Sequence, residues 1–359
     1  MTVRLRPTLA SLPAYVPGRT VPGAIKLASN ENSYPPLPHV VDRIAEAATN
    51  INRYPDTNST ELVRALADRY GVAAEQVVVG CGSVSLCQQL LLATAGHDEQ
   101  VMFGWRSFEA YPILTLIAGA EAVQVPLAGH THDLPAMAAA ITDRTRLIFV
   151  CNPNNPTGTV VPGAELLDFL DRVPADVLVV LDEAYTEFIT DPAVISGLTL
   201  LDRYPNLIVL RTFSKAYGLA GLRVGYGIAA DPAVAMAVGQ TQVPFAVTQL
   251  AQVAALASLE DAAEKQLAER VADLVAERGR VTEALRSYGY LVPDSQANFV
   301  WLSHGPAEAG GIDAVEFAAG CERLGIIGRA FAGSGVRVTI SNAAENDRFL
   351  AAAQQLRDS

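Results

Sequence analysis

Lys215 follows two hydroxyl residues in the segment Thr212-Phe-Ser214-Lys215-Ala-Tyr-Gly-Leu-Ala-Gly-Leu-Arg223, a combination suited to carbonyl and phosphate chemistry. A lysine amine condenses with a carbonyl group to an imine once its surroundings lower its pKa. Hydroxyls and an arginine hold a phosphate dianion. A Ser-Lys pair alone also describes a surface lysine in a loop, but the glycines and Arg223 that follow favour a site. Asp182, in Asp182-Glu-Ala-Tyr185, ends an apolar run that carries its carboxylate into a poorly solvated place, where it requires a cationic partner. A protonated pyridine nitrogen is one such partner, and a helix N-cap is the ordinary alternative. Tyr185 can then hydrogen-bond a phenolic oxygen on the same ring. In Gly80-Cys-Gly82-Ser83, backbone N–H groups and the Ser83 hydroxyl can cradle a phosphate at a helix start, although many strand-to-helix turns read the same way. Asn152-Pro-Asn-Asn155-Pro-Thr-Gly158 is more specific: two Asn-Pro steps fix an irregular turn that projects an amide, or form a plain structural turn.

These segments need a scaffold that brings them together. Each follows a short apolar run, Val77–Val79, Leu147–Val150, Val177–Leu181 or Leu207–Leu210, with helical patterns between, which predicts an α/β fold with a mostly parallel sheet. Ligands bind at the carboxyl ends of such strands. From about Phe245 to Ser287 the sequence becomes Ala-rich and Glu/Arg-decorated, predicting one long connecting helix. Strand-like stretches follow at Ala297–Leu302 and Gly335–Ile340. The chain length of 359 residues exceeds the usual single core. The expected organisation is an N-terminal arm over 1–38, a large domain over 39–248 and a smaller α+β domain over 249–359.

Half the residues are apolar and 18% are charged, as in a globular enzyme. The net charge of −12 and the lack of a basic block argue against nucleic acid. Any anionic substrate must therefore be held by individually placed arginines. Cys81, Cys87, Cys151 and Cys321 have neither zinc-site nor disulfide spacing, so no metal is expected and a cytoplasmic location fits. No run approaches the ~18 apolar residues of a membrane span, and the N-terminus lacks a secretory core.

Taken together, GCGS, NPNNPTG, LDEAY and TFSKAYGLAGLRVGY resemble, in order and spacing, the fold-type I aminotransferases that use pyridoxal 5′-phosphate, and the resemblance covers almost the entire chain. The arm LASNENSYPP and the segments NRYPD, SQANFVWL and GVRVTIS add a resemblance to the histidinol-phosphate aminotransferase family. It implies that Lys215 carries the imine to the cofactor and that Asp182 binds the pyridine nitrogen. Asn155 and Tyr185 would hold the phenolic oxygen, and Phe108 would stack on the ring. The phosphate falls to Ser83 with the Gly82 turn, Thr212, Ser214 and Arg223. Tyr54 matches a tyrosine that reaches the phosphate of a neighbouring subunit, implying a homodimer with shared sites. Arg337 matches the arginine that grips the substrate α-carboxylate, and Arg329 the one that meets a distal anion. Asn32 and Tyr34 in the arm are implied to face the substrate. The family usually has Pro where Arg106 stands.

Two donors compete within the family. Histidinol phosphate needs cations for its phosphate, yet the usual Val-Arg-Pro around Arg329 reads Gly-Arg-Ala, and the arm reads Asn-Glu-Asn-Ser-Tyr-Pro-Pro in place of Asn-Pro-Tyr-Gly-Pro. GCGSVSLCQQL, FGWRSFEAYP and SQANFVWL resemble the aromatic amino acid (phenylalanine) aminotransferase branch. The expectation is therefore transfer from phenylalanine, tyrosine or tryptophan to 2-oxoglutarate by ping-pong kinetics, with histidinol phosphate as the alternative donor. Decarboxylation on the same cofactor is the alternative of another reaction class.

Overall fold

The computed structural model describes residues 18–358 together with Val3 and Leu12, so most of the first half of the expected arm lies outside the described residues. The described chain opens with a short strand, β1 (Ile25–Lys26). The apolar runs then form part of a seven-stranded sheet: β2 (Val77–Gly80), β3 (Gln100–Trp105), β4 (Glu121–Pro126), β5 (Thr145–Cys151), β6 (Leu178–Asp182), β7 (Leu207–Thr212) and β8 (Gly225–Ala229). Their order is β2-β8-β7-β6-β5-β3-β4. Only β8 runs antiparallel to its neighbours.

Alternation along these strands supplies two apolar clusters, one on each face of the sheet. Ile148, Val150, Val179, Leu181 and Val209 enter one, and Leu147, Phe149, Val180, Ile208 and Leu210 the other. Burial on both faces is why the runs are continuously apolar. β3, β4 and β8 were not among the expected strands. β4, Glu-Ala-Val-Gln-Val-Pro, is a mixed-polarity strand at the sheet's edge. β8, Gly-Tyr-Gly-Ile-Ala, is short and glycine-rich because it enters a crowded place: a Cβ on Gly225 would stand 2.6 Å from the Ser83 backbone nitrogen.

The C-terminal sheet comprises β9 (Phe299–Ser303), β11 (Arg329–Phe331) and β12 (Gly335–Thr339), in the antiparallel order β11-β12-β9. Between them β10 (Ile326–Ile327) pairs parallel with β1. The described part of the arm is thus stitched into this region. Thr339 N–H donates to the Leu27 carbonyl at 2.9 Å, and Asn30 N–H to Thr339 Oγ1 at 2.9 Å.

The single connecting helix expected from Phe245 to Ser287 is two helices, Gln249–Ser258 and Asp261–Ser287. The break falls at Leu259–Glu260, where Glu260 turns extended. The first piece buries Ala251, Ala254, Ala255 and Ala257, while the second carries an exposed charged face, so a change of direction lets each keep its environment. Among the described residues no helix is long and apolar enough to cross a membrane.

The long helix is locked by Arg278, which is 6% exposed. Its Nη1 donates to the carbonyls of Phe188, beyond β6, at 2.9 Å and of Ala297, before β9, at 3.0 Å. Burial pushes its guanidinium down to about 10. Arg278→Met keeps the apolar stem but strands two buried carbonyls, and should cost about 2–4 kcal/mol of stability. Urea unfolding of the two proteins measures it, and coincident midpoints would contradict the lock.

Candidate active site

The parallel strands deliver their ends to one edge of the sheet. Cys151 lies beside Asp182 across β5 and β6, while Gly80 and Thr212 both register on Gly225. Around this edge is a cavity of about 250 Å³ whose lining includes Ser83, Phe108, Asn155, Asp182, Tyr185, Thr212, Ser214, Lys215, Arg223, Arg329 and Arg337. Ten of the sequence-derived candidates thus converge with Arg329, from segments far apart in the chain.

Asp182 is 4% exposed, and burial raises its pKa. Opposing that are the Tyr111 hydroxyl, which donates to Oδ2 at 2.7 Å, and the Ala184 N–H, which donates to Oδ1 at 3.2 Å. Lys215 shares the cavity, and its positive charge also favours the ionised carboxylate. Burial first, then the neighbouring Arg337 guanidinium, pushes Lys215 down to about 7. A large share of the amine is uncharged at neutral pH, the state that can attack a carbonyl. Lys215 Nζ donates to the Ser29 carbonyl at 3.4 Å.

Tyr185 is 3% exposed, and its hydroxyl accepts from Asn30 Nδ2 at 2.9 Å. Burial pushes the phenol up, against the pull of Arg337 and Asn30. Arg337 is itself buried, donating to the Ala28 carbonyl at 2.7 Å and to Asn155 Oδ1. Phe108 meets Tyr111 edge-on at 5.5 Å.

Gly82 takes φ +78°, and an added Cβ there would run into the Arg223 guanidinium, so glycine is what lets the arginine lie over the turn. The helix Ser83–Thr94 starts at this point with no side-chain cap on its free N–H groups. Arg223 Nη1 reaches Ser214 Oγ at 3.4 Å. An arginine, an uncapped helix start and hydroxyls on one side of the cavity form an anion cradle. The buried Asp182 carboxylate and Lys215 line the same enclosure.

Four candidates are not on the lining: Gly82, which lies under the Arg223 guanidinium, and Asn32, Tyr34 and Tyr54. Asn32 turns to the loop after Lys215, donating from Nδ2 to the Ala216 carbonyl at 2.9 Å. Tyr34 packs against the core beneath Arg270, 5.5 Å from its ring. The arm contributes Ser29, Asn30 and Glu31 instead, because its stitching to β12 fixes those residues over the cavity. Tyr54 is 81% exposed and stacks on Phe245 at 4.5 Å, away from this chain's own cavity. Sequence reasoning also passed over Tyr111, Asn30 and Glu109. Tyr111 carried one signal, its place on a helical pattern next to Phe108, whereas Asn30 has no local motif at all.

The family profile for aminotransferase class I and II matches residues 22–352. The chain belongs to this aminotransferase family. It is similar to the aromatic amino acid aminotransferase of Streptomyces coelicolor, 56% identical over 359 residues, covering 99% of this chain and 98% of the relative. It is also similar to the protein of the same description from Rhodococcus jostii, 57% identical over 98% of this chain and 95% of the relative. Among solved structures, the histidinol-phosphate aminotransferase of Sinorhizobium meliloti in complex with pyridoxal 5′-phosphate superposes with TM-score 0.88 at 29% identity, covering 100% of this chain and 98% of that one. The L-threonine-O-3-phosphate decarboxylase of Porphyromonas gingivalis shares the fold, with TM-score 0.78 at 24% identity, over 93% and 99% of the two chains.

The aminotransferase is a pyridoxal 5′-phosphate enzyme. The cavity's chemistry fits that group: an anion cradle, a carboxylate for a protonated ring nitrogen and a lysine of depressed basicity. Tyr111→Phe keeps the ring stacked on Phe149 but removes the donor to Asp182, letting its pKa rise further. The variant should lose on the order of tenfold in kcat and shift the acidic limb of its pH–rate profile upward. An unaltered profile would show that Tyr111 does not tune Asp182.

Proposed function

We propose that the aminotransferase moves the amino group of phenylalanine, tyrosine or tryptophan to 2-oxoglutarate. Pyridoxal 5′-phosphate, when bound, supplies the carbonyl carbon that exchanges amino groups and the electron-withdrawing ring that stabilises charge at the substrate Cα. Asp182 would keep the ring nitrogen protonated, Tyr185 and Asn155 would orient the phenolic oxygen, and Phe108 would flank the ring. Gly82, Ser83, Thr212, Ser214 and Arg223 take the phosphate. Arg337 holds the substrate α-carboxylate with its planar fork. Lys215 would hold the cofactor through its Nζ, and the same amine, when free, would take the proton from the substrate Cα. A carboxylate arriving on Arg337 cancels part of the positive field that depresses Lys215, so the freed amine becomes a stronger base as substrate binds.

The observation that carries the donor assignment is the ion pair between Arg329 and Glu109, 2.8 Å apart on the cavity wall. A distal phosphate dianion brings two negative charges to a wall that already holds the Glu109 carboxylate, one more than a distal carboxylate brings, whereas a neutral aromatic ring leaves the pair intact. The likeness to proteins described as aromatic amino acid aminotransferases supports the same choice. A homodimer is part of the proposal. Exposed Ile51, Tyr54, Met236, Val243 and Phe245 are unusual for a solvated surface, and Tyr54 would reach the partner's cofactor phosphate.

Initial rates with phenylalanine and 2-oxoglutarate varied together should give parallel double-reciprocal lines, and Lys215→Ala should abolish turnover. Intersecting lines, or a Lys215→Ala enzyme of ordinary turnover, would overturn the mechanism.

A further inference from the structure

An enzyme that accepts both an apolar aromatic acid and a dicarboxylic keto acid in one cavity must present a cation to the second and hide it from the first. The cavity contains the parts for this. Arg329 and Arg337 are register partners across β11 and β12, so both side chains leave the same face of the sheet. With the α-carboxylate on Arg337, a role that the proposed function assigns, Arg329 is the neighbouring cation for a second carboxylate. Arg329 is not idle: its Nη2 is 2.8 Å from Glu109 Oε2, with side-chain exposures of 15% and 29%.

Arg106 completes the cluster. Its guanidinium lies 4.7 Å from the Trp105 ring centre and 5.4 Å from that of Phe331, and its Nε donates to Ser334 Oγ at 3.3 Å. Arg329 lies 5.8 Å from the same Phe331 ring. Burial pushes the Arg106 guanidinium down, Glu109 opposes that shift and Arg329 adds to it, so the three charges act on one another.

We infer that Glu109 is a resident counter-ion and specificity-determining residue: it neutralises Arg329 while an aromatic side chain occupies the cavity and yields Arg329 to the distal carboxylate of a dicarboxylic substrate. The exchange does not strand Glu109, because its side chain is 29% exposed to water and Arg106 still acts on its charge. Two arginines and one carboxylate leave one positive charge in surplus, matching the one extra negative charge that separates 2-oxoglutarate from an aromatic keto acid.

The test is calorimetric binding of two unreactive acids, glutarate and 3-phenylpropionate, to the holoenzyme and to its Glu109→Gln variant. Removing the competing carboxylate should tighten glutarate on the order of tenfold and leave 3-phenylpropionate unchanged or weaker. Equal gains for both acids, no change in either, or weaker glutarate binding would overturn the inference. Arg337→Lys, measured with the same acids, separates the premise from the inference. Undiminished binding of both acids there defeats the carboxylate role of Arg337, whereas the glutarate-to-phenylpropionate ratio in Glu109→Gln judges Glu109 by itself.

Discussion

Burial of Asp182 and Lys215 in one cavity is the constraint around which the molecule is arranged. Removing both from water pushes the carboxyl up and the ammonium down, and each must still retain a usable charge state near neutral pH. Tyr111 and the Ala184 N–H oppose the rise of the carboxyl, and the Arg337 guanidinium adds to the fall of the amine. That balance requires Asp182 at the end of one central strand, Lys215 just beyond the next, and an arginine from a different sheet within electrostatic range. The strand order, the stitched arm and the C-terminal sheet all serve that requirement.

Opposed demands recur at the periphery of the site. The turn at Gly82 leaves room for Arg223, whose guanidinium lies over an uncapped helix start, an unfavourable pairing of like charge that an anion between them would relieve. The wall that receives the substrate has two arginines in register, one of them already paired with Glu109. An otherwise acidic protein thus places Arg223, Arg329 and Arg337 around one cavity. Arg278, which ties the long helix to backbone carbonyls on both sides, keeps the two sheets in the relation that such spacing needs.

Most of the site was legible because its residues sit where apolar strands end, and those strands are buried on both faces. Asp182 and Lys215 carry local patterns, whereas the Gly80–Ser83 turn reads like many strand-to-helix turns and gains its meaning from the segments around it. β4 and β8 lacked such a signal, one being a mixed-polarity edge strand and the other built of glycines that satisfy a neighbour's geometry. The break at Leu259–Glu260 was hidden because neither residue is a helix breaker, and tertiary packing sets it. Asn30 and Glu109 acquire their partners, Tyr185 and Arg329, only through contacts distant in sequence. Asn32 and Tyr34 show the converse. Belonging to the right segment did not put them on the cavity, since the stitching of the arm to β12 selects its neighbours instead.

The most direct test of the account is the absorbance of the bound cofactor in single half-reactions. Phenylalanine added to the holoenzyme should bleach the resting band faster and at lower concentration than histidinol phosphate does, and 2-oxoglutarate should then restore it. A preference for histidinol phosphate would contradict the aromatic assignment and make Arg329 a phosphate anchor. Loss of the band that 2-oxoglutarate fails to reverse would contradict amino-group transfer itself.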